Sequence, residues 1–264
     1  MAADAPRDSA LVVLGLGVVA YVAATMLHEA LGHGLVCLAT GGRVTLLYPL
    51  GMRCSVVGPL MVAAGPATNL VAGALCWFVL AKTNAFGGNA RYLLWLGMVF
   101  NLLVAGGYIA VGGLLNFGDW AYLIGGLQPP VAWRIATVVV AAALYYGSLR
   151  IIAAEYYRFT GPSGISPPRL YRLTLWPAAA AAVVSCAAAA LSPTAKPIAL
   201  ELAVATTLVP GLSLLAVADL LVSMRRKPVP EQARVTWSIA WLAVALVVGV
   251  VFVAVVGPGI GSRG

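Results

Sequence analysis

Both histidines of the chain fall in one short stretch, TMLHEALGHGLV (Thr25–Val36), with a glutamate directly after the first. Two imidazoles and a carboxylate this close are the parts of a metal site. In the H-E-x-x-H pattern the histidines lie at i and i+4, about 40° apart around a helix of ~3.6 residues per turn. Both then reach one zinc ion, and the Glu takes a proton from water. Here His28 and His33 are separated by one residue more. A regular helix sets them about 140° apart, too far for two Zn–N bonds of ~2.0–2.1 Å. Two local structures resolve this. A π-turn brings i and i+5 back nearly into line, and such bulges occur mostly at functional sites. Gly32 and Gly34 weaken the α-helix and ease that change. Alternatively the helix stays regular, Glu29, His33 and Cys37 form an i, i+4, i+8 stripe, and His28 points elsewhere. This stretch alone leaves both open; segments further along the chain, and what they resemble, favour the π-turn, with His28 and His33 as metal ligands, Glu29 as base and Cys37 as a reserve ligand.

The surroundings of this stretch are lipid-like. The chain of 264 residues is 62% hydrophobic and only 9% charged, against roughly 25% charged in soluble domains. About 20 apolar residues span a bilayer as a helix, and lipid tolerates no unpaired backbone. Seven runs qualify, within a range of six to eight: roughly Ala10–Ala39, Val57–Ala81, Tyr92–Leu115, Val131–Tyr157, Leu170–Leu191, Pro197–Met224 and Val235–Val256. The separators, such as TGGR, NFGDW and FTGPSGISPPR, are rich in Gly, Pro and charge. The fold expected is an all-α polytopic membrane protein. Arg43–Val57, short and broken by Pro49 and Gly51, reads as a hairpin or re-entrant element after the first helix. The first run, after Arg7, outlasts a signal-peptide core and then carries His, Glu and His, so it reads as a retained helix. No internal repeat of the kind found in many transporters is visible.

Net charge is +8 with few acids, which fits loops at a headgroup surface and gives no basic arm for nucleic acid. Cys76 and Cys186 lie in apolar runs as small hydrophobes, and the cysteine spacing suggests no disulfide framework. Asp4 and Asp8 read as an N-terminal tail, and Glu231 as part of a charged loop. Glu155 is expected to pair with Arg158 at i+3, and Glu201 and Asp219 to reach interfaces. Glu29, between the two histidines in an apolar run, is the acid hardest to place without a function.

Two further segments carry a pattern. AAGPATNLVAG (Ala63–Gly73) holds Gly65-Pro66-Ala67-Thr68-Asn69, and NLLVAGGYIAVGGLLNFGDW (Asn101–Trp120) holds Asn101, Asn116 and Asp119. With His28-Glu29 and His33 late in the first apolar helix, these segments resemble the site-2 protease family of intramembrane zinc metalloproteases. The resemblance covers Ala10–Trp120. It implies Zn2+ as cofactor, Asp119 as third ligand, Glu29 as general base, and Asn69, Asn101 or Asn116 as amides that orient a ligand or substrate. It further implies residues 1–128 as the metalloprotease core, with about four additional helices in 129–264. The chain departs from the family pattern in the histidine spacing, in Val104 where the family has proline, and in Gly118 preceding rather than following Asp119.

Helix order alone also puts the three ligands at one membrane face, because the first helix ends where the third returns. Orientation is contested. Eleven of the Lys and Arg residues (Arg7, Lys82, Arg91, Arg150, Arg158, Arg169, Arg172, Arg225, Arg226, Lys227 and Arg234) fall at the face holding the N-terminus. Five (Arg43, Arg53, Arg134, Lys196 and Arg263) fall at the other. The positive-inside rule thus puts the N-terminus in the cytoplasm, while the resemblance puts the metal site nearer the cytosol. The function expected is peptide-bond hydrolysis in or beside the bilayer of a bacterial cytoplasmic membrane, on a membrane protein or peptide. The alternatives are a catalytically inactive relative that binds partners, and a small-solute or metal-ion transporter.

Overall fold

The computed structural model describes residues 8–193, 196–223 and 233–261. Asp4, Arg7, Arg225, Arg226, Lys227, Glu231 and Arg263 lie outside them. In chain order the elements are α1 (Ala10–Ala39), β1 (Val44–Tyr48), β2 (Gly51–Cys54), α2 (Pro59–Lys82), α3 (Gly88–Leu115), α4 (Asp119–Ile124), α5 (Pro130–Thr160), α6 (Pro167–Leu191), α7 (Pro197–Leu221) and α8 (Ile239–Val256). All but α4 among the helices, seven in total, are long and apolar enough to cross a membrane. The chain is a multi-pass membrane protein by that measure, and the expected spans are met to within a few residues.

The differences at the ends have local causes. α3 starts at Gly88, ahead of its apolar run, because Asn89 and Arg91 find backbone partners. Asn89 exchanges hydrogen bonds with the Thr236 backbone at 2.8 and 3.0 Å, and Arg91 donates to the Thr83 carbonyl at 2.7 Å. α8 starts late because residues 233–236 run extended against the N-terminus. There the Ser9 N–H donates to the Val235 carbonyl at 2.8 Å.

α1 is the central helix, packed against α3, α6 and α8. At Gly17 a Cβ would lie 2.5 Å from the Pro177 Cα, so glycine lets α6 approach α1. Buried aromatics have their polar ends satisfied. The Tyr21 hydroxyl is hydrogen-bonded to Ser185 and Thr206 at 2.7 and 3.0 Å. The Tyr92 hydroxyl donates to the Leu173 carbonyl at 2.7 Å, and the Trp95 indole to Ile152 at 3.1 Å. The second half of the chain thus walls in the helix that carries the histidines.

Arg43–Val57 forms a hairpin. Its strands pair antiparallel with Tyr48 opposite Gly51 across Pro49-Leu50. Ile260 bridges Leu47 from the outer side through two 2.7 Å hydrogen bonds, which covers that edge.

Three expectations about polar residues can be compared with the structure. Glu155 accepts from Arg158 at 3.0 Å, the expected i,i+3 pair. Glu201 and Asp219 are exposed. Asp8, expected in a free tail, is instead buried, accepting from Arg169 at 2.7 Å and from the Val235 N–H at 2.9 Å. Its partners are too distant along the chain for a local pattern to reveal them.

Candidate metal centre

Leu27–Gly34 is a π-helix of eight residues set between α-helical turns. It absorbs the extra residue and turns His28 and His33 onto one face. The two Nε2 atoms lie 3.1 Å apart. Asp119 Oδ2 completes the triangle, 3.3 Å from His28 Nε2 and 3.4 Å from His33 Nε2. A tetrahedral ion with bonds of ~2.0–2.1 Å requires neighbouring ligand atoms about 3.3–3.4 Å apart. The three side chains already stand near that spacing, and they form a group able to hold a metal ion.

The hydrogen bonds behind the imidazoles fix which nitrogen carries the proton. Asn101 Nδ2 donates to the Gly97 carbonyl at 2.8 Å, which leaves its Oδ1 to accept from Asn69 Nδ2 at 2.7 Å. Asn69 Nδ2 also donates to the Ala24 carbonyl at 3.1 Å. Its Oδ1 is therefore an acceptor, and His28 Nδ1 donates to it. His33 Nδ1 donates to the Met61 carbonyl at 2.8 Å. Both rings thus hold a proton on Nδ1 and turn an Nε2 lone pair inward, the arrangement by which outer partners orient metal-ligating histidines.

Two lone pairs and a carboxylate oxygen meeting at one point repel unless a cation, proton or metal, sits among them. When a proton takes that place on Nε2, the imidazoles donate to Asp119: burial raises its carboxyl, but those hydrogen bonds and the imidazolium charge overcome this and hold it down at about 2.

Asp119 reaches this point through a sharp turn. Asn116 ends α3 in the left-handed region at φ 54°, and Gly118 follows at φ 79°, where a side chain is strained. α4 then begins at Asp119 and lies against α2 and α3. Gly118 before Asp119 is what this turn needs.

Glu29 is buried, 6% exposed, and has no hydrogen-bond partner among the described residues. It faces the wall of an open cavity of about 610 Å³ that also contains His28, His33 and Asp119. Tyr48 and Arg53 of the hairpin line the same cavity. Burial raises the Tyr48 phenol, and the Glu29 carboxylate raises it further.

Of the residues singled out in the sequence, His28, Glu29, His33, Asp119, Asn69 and Asn101 come together. Two do not. Cys37, the reserve ligand, is disulfide-bonded to Cys54 of β2, so its sulfur is not free for a metal. This also corrects the expectation of no disulfide. Asn116 is exposed and serves as the cap of α3, not as an amide near the imidazoles.

Sequence reasoning missed the role of Gly65. A Cβ there would meet His33 Nε2 and lie 2.7 Å from His28 Nε2, and Gly65 itself packs on Gly32. α2 can lie against the imidazoles only because this position is glycine. Gly-Pro in an apolar run was the available signal. Compared with protein-family models, curated proteins and solved structures, the chain matches none.

Proposed function

We propose that this protein is a zinc-dependent hydrolase of peptide bonds in or beside the bilayer, resident in a bacterial cytoplasmic membrane, with membrane proteins or peptides as substrates. The observation that carries this is the triangle of His28 Nε2, His33 Nε2 and Asp119 Oδ2, spaced for a tetrahedral ion and backed by outer hydrogen bonds that turn both lone pairs inward.

His28, His33 and Asp119 would hold the ion and leave a fourth position open. Bound there, zinc supplies the Lewis acidity that makes water nucleophilic near neutral pH. Glu29 accepts the proton of the attacking water and returns it to the leaving amine. An unpaired carboxylate at this depth costs at least about 2.5 kcal/mol on insertion scales, and work as a base is a reason to keep it. Tyr48 and Arg53 offer O–H and N–H donors on the same wall, where negative charge develops on the scissile carbonyl oxygen. The Asn101–Asn69–His28 chain holds the first imidazole in its tautomer.

Metal content is the test. Purified wild-type chain should carry one zinc per molecule by plasma mass spectrometry, and His28→Ala should carry none. Equal metal in both would remove the proposal. Bound zinc without any Glu29-dependent cleavage would instead make the chain a non-catalytic relative.

A further inference from the structure

We infer that the metal-site face lies outside the cytoplasm, so that the centre works on polypeptide segments presented from the oxidising side of the membrane. Three observations support this, and none depends on the identity of the metal.

The first is the completed span count. Odd and even ends of the seven helices divide the described cations into two sets. Lys82, Arg91, Arg150, Arg158, Arg169, Arg172 and Arg234 fall on the N-terminal side. Arg43, Arg53, Arg134 and Lys196 fall on the side of the metal centre. An excess of Lys and Arg marks the cytoplasmic face.

The second removes the ambiguity of a missed span between α7 and α8. Residues 233–236, which include Arg234, are fastened to the N-terminal end. The Val235 N–H donates to Asp8 at 2.9 Å, Arg169 bonds both Asp8 and the Ala233 carbonyl, and the Ala233 N–H donates to the Phe159 carbonyl at 3.2 Å. Arg234 thus sits at the same end as Arg158 and Arg169.

The third is independent of charge. The Cys37–Cys54 disulfide joins the foot of α1 to the hairpin on the metal-site side. Disulfides persist in oxidising compartments and are rare in the cytosol. The remaining cysteines, Cys76 and Cys186, are free thiols inside spans.

The cavity holding Glu29 and the three ligand residues is walled by this same hairpin, through Tyr48, Arg53 and Cys54. Water and substrate therefore enter from the disulfide face. The statement about substrates rests on the hydrolase reading above, and the topology does not.

Single cysteines test the topology in cells that carry the full chain in their cytoplasmic membrane. Gly126 follows α4 on the metal-site side, exposed with open space around it, and Ala85 is exposed in the opposite loop. With the parent chain as baseline, a membrane-impermeant maleimide should label Gly126→Cys equally in intact and permeabilised cells. It should label Ala85→Cys only after permeabilisation. The reverse pattern, or equal labelling of both in intact cells, overturns the inference. A second arm uses EDTA, which does not cross the membrane. It should strip zinc from right-side-out vesicles and spare inside-out ones, and the opposite result overturns the inference too. Vesicles of both kinds that hold no zinc would sink the hydrolase reading, and labelling would still decide the topology.

Discussion

Glu29→Gln should lower peptide-bond hydrolysis by about 10²–10⁴-fold, the usual contribution of a positioned base, and leave one zinc bound. The group able to hold the ion is His28, His33 and Asp119, so on the proposed reading the amide removes no ligand. The substitution keeps the shape of the side chain and takes away a buried charge, 6% exposed and without a hydrogen-bond partner among the described residues. Loss of that charge eases insertion into lipid, so the variant should fold at least as well as the parent. Single-turnover cleavage of a fluorogenic peptide set in detergent, read beside zinc content, separates the outcomes. Lost zinc would make Glu29 a ligand or a structural support. An unchanged rate would place the base elsewhere.

Gly65→Ala should abolish stoichiometric zinc binding while the protein still inserts and folds. The added methyl would stand against both Nε2 atoms, 2.7 Å from that of His28, so the imidazoles must part. Losing an outer hydrogen bond typically weakens metal binding by about 10–100-fold. Displacing two ligands at once should exceed that. Stability should change less, because Ala is favoured over Gly in a helix by about 1 kcal/mol and overpacking costs about 1–3 kcal/mol. Gly147→Ala in α5, where a Cβ meets nothing within 4 Å, is the control and should keep its zinc. Isothermal titration of the apo proteins with zinc reads the difference. Wild-type affinity in Gly65→Ala would mean that α2 does not press on the site.

Much of the architecture was legible because lipid imposes a simple rule. An apolar run of sufficient length must become a helix, and the separators carry the Gly, Pro and charge that a helix in lipid rejects. The π-helix was legible for a different reason: His28 and His33 can share a function only if five residues make one turn, and Gly32 beside them permits it. Asp119 came from the resemblance, and helix order only put it at the same face as the histidines.

What escaped was set by distance in the chain or by backbone shape. Cys37 meets Cys54 only because the hairpin folds back over the foot of α1, and the spacing of the two carries no recognisable pattern. Asp8 finds Arg169 and Val235 at its own end of the bundle, but both lie far along the chain. Asn116 was read by its amide, but its use is conformational, since it tolerates the left-handed turn that swings Asp119 back. Gly65 matters for the side chain it lacks, which a search for functional groups passes over.

Zinc K-edge X-ray absorption of the purified chain addresses the centre most directly. Zinc at this site predicts a four-atom shell of nitrogen and oxygen at ~2.0–2.1 Å, with the multiple scattering of two imidazoles and no sulfur. A sulfur neighbour at ~2.3 Å, a single imidazole, or a protein without stoichiometric zinc would contradict it.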